Sequence, residues 1–510
     1  MQTNPILKKG LVVGIILLFV WACITPSIAQ KTFGKPSSQT SRDHWLYVGG
    51  NGAGNYSKIQ DAINDSSDGD IIFVYSKIYY ENLLINKSVQ LLGENRQTTI
   101  VESVKNQDTF SVKGSHINIS NFRILANYTY FLPYCIRIQQ SSNVNVYNCE
   151  CSATTPHSYC GACAYESNNV SFLNLLVHDV DEGIVFVKSF NCRVQNCECY
   201  NVDQQSIATN EGSGLYIYNC TVRDGLHGLS QGICIFSNET SIENCQIINM
   251  SDNGIQLLGG HPHPYDKRRS ASIQNSTIRD CRNNICAIWI EDYDSVLITN
   301  CEIAKSAAAG ISVTDSDEVL IYRNNFIDNN NKPFDYNAFV DWDNGKIGNY
   351  WSDSNIKDSN GDLIGDSNYS FNYGVDHFPV MLPFGKTIGV RITHPLENFS
   401  YLRNLQSRQP RLTTLLIGTI KVVVVAGTFD SPTVAKVRFY VDGILRHVDR
   451  RAPYTWTWKL NSIKIKHTLK VVAVDERGNI VSDQMSVVRI GVPASVKILI
   501  AGLLVNKLFQ

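Results

Sequence analysis

Between Asp358 and Asp366 the chain sets Asp358, Asn360, Asp362 and Asp366 on alternating or near-alternating positions, with the Ile364 carbonyl among them. Oxygen donors so spaced match the way a short loop wraps a hard cation, which predicts a structural calcium site. Position twelve is Tyr369 rather than a bidentate Glu, so the site needs completion from elsewhere. The same Asp/Asn/Gly composition also serves a metal-free turn.

Chemistry on a glycosidic bond needs carboxylates on one face: a pair for hydrolysis, or calcium plus a base for elimination. Asp203 and Asp224, with His227, are the candidates. Asp224 stands at a recurring turn position where Asp is expected on conformational grounds alone. Gln204 and Gln205 follow Asp203, and amides neither protonate a leaving group nor activate water. Glu291-Asp292-Tyr293-Asp294 and Asp315-Ser-Asp317-Glu318 are acidic turns, solvated or serving as ligands for a sugar or cation. His261 and His263, flanked by prolines, fit a rigid surface loop; copper is the other reading of the pair.

Fifteen cysteines in an exported chain suggest disulfides. Yet Cys149, Cys197, Cys220, Cys245 and Cys301 share one register, and stacked rungs about 4.8 Å apart suit packing better than a disulfide, whose Cβ atoms prefer about 3.8 Å. Cys160-Gly-Ala-Cys163 is expected as a loop disulfide rather than a metal site, since no second Cys-x-x-Cys completes a zinc pattern.

The elements that position these residues repeat. An apolar residue, a spacer, Asn and often Cys recur as Ile-Ser-Asn-Phe ending at Phe122, then end at Cys149, Leu175, Cys197, Cys220, Cys245, Ser276, Cys301 and Asn324. A period in the twenties made of short alternating strands and polar turns predicts a solenoid, all-β, with three strands per coil: a right-handed parallel β-helix. Ladder asparagines such as Asn219 and Asn275 are expected inside, and twelve Asn-x-Ser/Thr sequons follow largely from the Asn-rich repeat. The long step before Ser276 holds an insertion at 259–266. Coils span 102–330, behind a capping module at 45–101 with one short helix between Tyr56 and Asn64, and a polar, aromatic segment at 331–385 closes them. Residues 388–490 alternate between Asp-Gly-type turns and predict a small antiparallel β-sandwich; Tyr454, Trp456 and Trp458 share one face, read as core or as a sugar-stacking surface. A tail occupies 491–510.

Lys8 and Lys9, an apolar stretch from Leu11 to Ile24 and Ser27-Ile28-Ala29 predict a signal peptide cleaved after Ala29, or else an uncleaved N-terminal anchor. Export follows either way, to the exterior or cell surface, with membrane contact only through that segment if it is retained. A net charge of −1 and pI near 6.8 leave no footprint for nucleic acid.

Asn55 to Ile63 with Gly69-Asp70 and Leu92-Gly93-Glu94, the coils, and Gly348-Asn349-Tyr350-Trp351-Ser352-Asp353 followed by Asp376-His377-Phe378-Pro379-Val380 resemble exported NosD-like β-helix proteins, with an immunoglobulin-like domain appended. The resemblance implies a pectate-lyase-like β-helix in the cell envelope. The copper role attached to the NosD name is not carried over, because the name covers coil grammar shared by many surface proteins and the sandwich departs from the accessory protein. His227-Gly228-Leu229-Ser230 resembles a polygalacturonase His-Gly segment, but Gln204-Gln205 stand where that family has aspartates. Pro453-Tyr454-Thr455-Trp456 resembles a core strand of bacterial immunoglobulin-like domains. The leading expectation is a non-catalytic surface binding a glycan or cell-surface partner. A lyase or hydrolase for an acidic glycan comes next, and a copper-handling accessory protein third.

Overall fold

The computed structural model describes residues 44–490, apart from 105–106, 128–132, 155–159, 226–228, 260–268, 283–285, 386–387, 403, 408–411, 430–432 and 460–464. The N-terminal segment, the C-terminal tail, His227, His261 and His263 lie outside the described residues. No described helix is long and apolar enough to cross a membrane.

The chain winds into a right-handed β-helix of about 11 turns. Each coil contributes a strand to three stacked sheets. In one coil these are Glu182–Phe190 (first sheet), Arg193–Gln195 (second) and Glu198–Val202 (third). Every pairing between coils is parallel, and pairing starts at Trp45–Val48 with Ile71–Val74, so the segment expected as a cap is already coiled. Among the described residues, the helix Ile59–Asp65 packs against the first strands, Trp45–Val48 and Ile71–Val74. Lys58 offers it no side-chain cap; instead both Glu81 carboxylate oxygens accept the orphan N–H groups of Ile59 and Gln60 at 2.9 and 3.0 Å.

The repeated phrase has a simple physical meaning. Its first apolar residue points inward, so Val146, Phe172, Val194, Ile217, Ile242, Ile273 and Ile298 stack rung on rung, fully buried. The Asn that follows turns the corner in the left-handed region, with φ of 51–54° at Asn148, Asn196, Asn219 and Asn275. These side chains point outward, contrary to expectation: Asn219 and Asn275 are exposed. Asn148 donates to Asn121 at 2.7 Å, and Asn219 to Asn196 at 2.8 Å. The left-handed residue interrupts period-two alternation, which turns Asn out and the next residue in.

That next residue relays hydrogen bonds along the axis. Its side chain accepts the corner N–H of the previous coil: Leu175 to Cys197 Sγ, Cys245 to Ser276 Oγ, Cys301 to Asn324 Oδ1, Asn324 to Asn349 Oδ1, and finally Asn349 to Asp376 Oδ2 at 2.8 Å. Buried N–H groups left without such an acceptor are costly, so small polar residues occupy the position. The fourteen described cysteines are buried free thiols. Burial pushes Cys149 and Cys301 up to about 12.

Cys160 and Cys163 form no disulfide, correcting that expectation. Both lie within one strand, Cys160–Tyr165, as buried free thiols that share a small cluster with Val185, Ala208 and Cys234.

After the helix closes, residues 389–490 form a sandwich of a three-stranded and a seven-stranded sheet. It is not purely antiparallel: Thr414–Ile417 runs parallel to the final strand, then crosses at Gly418 (φ 84°) into the opposite sheet. Tyr454 and Trp458 are buried and Trp456 packs against the same core, with the Arg489 guanidinium 4.1 Å from the Trp458 ring, so this face belongs to the core.

Candidate functional site

The turn from third to first sheet forms one edge along the whole helix. Its left-handed residue is Asp179, Asn201, Asp224, Asn249, Asp280, Lys305 or Asp328 in successive coils. The residues after it carry the chemistry, and they differ between an upstream and a downstream stretch.

Upstream, the register Val180 with Val202 places Asp181 and Asp203 at equivalent points of neighbouring coils. Glu182 follows Asp181, and burial, then the Asp181 charge, raises its carboxyl above the ordinary range. All three side chains are half-buried. In the next coils the edge carries amides: Gln205 donates to Gln231 at 3.4 Å, and Gln231 to the Asp252 carboxylate at 3.1 Å. Asp181 and Glu182 escape a reading that starts from Asp203 alone, although Val-Asp at 180–181 recurs at 202–203, one coil later.

Asp224 does not join Asp203. Tyr200 pairs with Arg223, so Asp224 matches Asn201, the corner residue. Its carboxylate takes a hydrogen bond from Asn249 at 2.7 Å and an ion pair from Arg223 at 2.6 Å, which together hold it below the ordinary carboxylate range. It is a turn anchor, ionised and engaged. Arg223 also lies 4.5 Å over the Tyr200 ring, itself stacked on His178 at 4.8 Å.

Downstream, three cavities join end to end. The first, about 390 Å³, is bounded by Asn249, Arg282, Lys305 and Asp328. It shares Asp328 with a second of about 120 Å³, walled by Trp351, Tyr369 and Lys332. That one shares Asp353 and Tyr369 with a third of about 470 Å³, reaching Asn355 and Asn368. The aromatic wall is a continuous stack of Phe326, Trp351 and Tyr369, with ring centroids 4.3 and 4.4 Å apart. Lys332 covers the Tyr369 ring at 4.0 Å and pairs with Asp353, which accepts the Tyr369 hydroxyl at 2.8 Å.

The closing motif builds this wall. Asp376, fully buried, accepts from Asn349 N–H, Trp351 Nε1 and Phe378 N–H, while burial pushes its carboxyl up to about 6. A Cβ on Gly348 would meet Asp376 Oδ1 at 1.8 Å, so glycine is required there.

The loop expected to hold calcium adjoins the third cavity. Asp358 accepts from Gly361 and Leu363 N–H, Asn360 from Asp362 N–H, Asp362 from Ile364 N–H, and Asp366 from Ser359. These side chains serve as turn anchors, and they hold Leu363 (φ 73°) against Val425 and Gly427 of the sandwich. Among the described residues no three His, Cys, Asp or Glu side chains gather in a group suited to a metal ion.

Residues 103–265 match the family model of the right-handed beta helix region, residues 226–355 that of the periplasmic copper-binding protein (NosD), and residues 413–471 that of the bacterial Ig domain. No curated protein matches the chain. Among solved structures it is similar to the catalytic domain of a GH87 α-1,3-glucanase in complex with nigerose, at 13% identity over 61% of this chain and 71% of that one, with a TM-score of 0.46. An alginate lyase from Paenibacillus sp. str. FPU-7 matches at 12% over 55% and 95%, TM-score 0.37. A family 28 exopolygalacturonase from Yersinia enterocolitica matches at 10% over 56% and 75%, also 0.37. Fold and family models agree on a right-handed parallel β-helix with NosD-like coils followed by a bacterial immunoglobulin-like sandwich.

Proposed function

We propose that this protein is an exported, non-catalytic envelope protein whose β-helix binds a glycan in the downstream groove. One observation carries the reading: the groove is lined by hydrogen-bonding side chains whose carboxylates are already engaged. Asp280 pairs with Arg279, Asp328 accepts from Ser352, Asp353 pairs with Lys332 and Tyr369, and Asp366 accepts from Ser359. Such groups can orient sugar hydroxyls. Calorimetry against a panel of neutral and acidic oligosaccharides, with a parallel reducing-sugar assay, tests it. Binding without product release is expected; turnover of any bound glycan sinks the non-catalytic reading.

Hydrolysis at the upstream edge is a second reading, favoured by one specific arrangement. Asp181 and Asp203 stand at equivalent points of neighbouring coils, whose backbones lie about 4.8 Å apart, a spacing compatible with the carboxyl separation of about 5 Å in retaining glycosidases. Glu182, raised by burial, has the character of a general acid. Activity lost in both Glu182→Gln and Asp203→Asn supports this reading, and activity indifferent to both removes it.

A further inference from the structure

Along the third-to-first-sheet edge, the left-handed turn residue is Asp or Asn in every coil from Asp179 to Asp328 but one, where Lys305 (φ 53°) stands. Asp and Asn suit this backbone because their short side chains bond locally. Lys lacks that local bond, so at this corner a free charge stands where a turn-anchoring side chain does elsewhere on the edge.

The Lys305 ammonium is exposed and makes no hydrogen bond or ion pair with any described residue. Arg282 lines the same cavity, and its guanidinium donates to the amide oxygen of Asn249, a neutral acceptor. Of the cavity's own carboxylates, Asp280 is paired with Arg279 at 2.8 Å, while Asp328 only accepts the Ser352 hydroxyl at 3.4 Å. Arg282 also acts at a distance on Asp224, whose carboxylate Arg223 and Asn249 already close.

We propose that Arg282 and Lys305 form an anion subsite at the upstream end of the groove, taking a carboxylate or sulfate borne by the bound glycan; this rests on the glycan-binding reading above. Asp328 lines both this cavity and the next, and Asp353 and Tyr369 line that one and the third, so an oligosaccharide lying along the three reaches Lys305. Two cations meeting one anion form charge-assisted bonds that a neutral sugar cannot make.

The test is calorimetry on the full chain with a galacturonic acid hexamer, its methyl ester and a sulfated neutral oligosaccharide. The free acid or the sulfated sugar is expected to bind about tenfold more tightly than the ester at low ionic strength, an advantage that fades with salt. Lys305→Asn restores the residue type of the ladder, so it keeps or raises the melting temperature while abolishing the advantage. Arg282→Gln abolishes it through the other cation. Equal affinity for acid and ester, or an advantage that survives both substitutions, overturns the anion subsite and leaves glycan binding standing. No binding of any oligosaccharide overturns glycan binding and the subsite with it.

Discussion

The two stretches of the turn edge share a backbone and differ in what faces it. At Asp181, Glu182 and Asp203 the edge is coil against coil, and side chains stand half-buried along it. From Asn249 to Tyr369 cavities open in succession: the first along the last coils themselves, the second between those coils and the segment 331–385, the third within that segment. The upstream stretch holds a perturbed carboxyl, whereas the downstream one holds rings and committed charges, which is the contrast between proton transfer and binding.

Truncating the shared wall gives the largest effect. Trp351→Ala removes a fully buried ring stacked on both Phe326 and Tyr369, and it leaves Asp376 without one donor. A loss of about 3–5 kcal/mol is expected in urea unfolding, together with loss of oligosaccharide binding. An unfolding midpoint within error of wild type would show that the groove wall is not part of the helix cap.

Much of the fold was legible because a coil is a local grammar. The apolar residue before each Asn predicts the inward stack from Ile119 to Ile321 without any long-range information. The same phrase misled about Asn219 and Asn275, since a left-handed φ, invisible in composition, flips which residue enters the core. The sequence reads the thiols as packing, but their acceptor role emerges only along the rungs from Cys197 through Ser276 and Asn324 to Asp376. At the site, Asp203 was visible, and its partner Asp181 needed the 22-residue register. The groove had no signature, because Tyr369 reaches Lys332 and Asp353 through folding-back that has no period.

The end of the acceptor relay gives the next effect, and it depends on pH. Asp376 has a folded pKa of about 6 against an ordinary 3.8. Its raised value means the protonated form is favoured by folding: its stabilising contribution is complete below pH 3.8 and lost as pH rises through 6. A shift of that size corresponds to about 3 kcal/mol. Unfolding free energy measured across this window should fall with rising pH in wild type, and less steeply in Asp376→Ala. Equal slopes would place the charge of Asp376 outside the cap's energetics.

Upstream, Glu182→Gln should change stability by less than about 1 kcal/mol, and in the stabilising direction at neutral pH, since burial already disfavours its ionised form. Oligosaccharide binding in the groove should be unaffected. Loss of binding in this variant would join the two stretches into one site and break the contrast between them.

The smallest effect is expected at the Asp358–Asp366 loop. Asp358, Asn360, Asp362 and Asp366 already accept N–H groups of the loop itself, so a cation entering there would have to displace those bonds. Melting temperatures with calcium and with EDTA should therefore agree. Asp358→Ala, by contrast, frees the Gly361 and Leu363 N–H groups and loosens Leu363 from Val425, lowering stability by about 1–3 kcal/mol in either condition. A calcium-dependent rise in melting temperature that disappears in Asp358→Ala would reassign these oxygens from turn anchors to ligands. The junction between helix and sandwich would then answer to a cation, and the groove beside it, which shares Asp366, would answer with it.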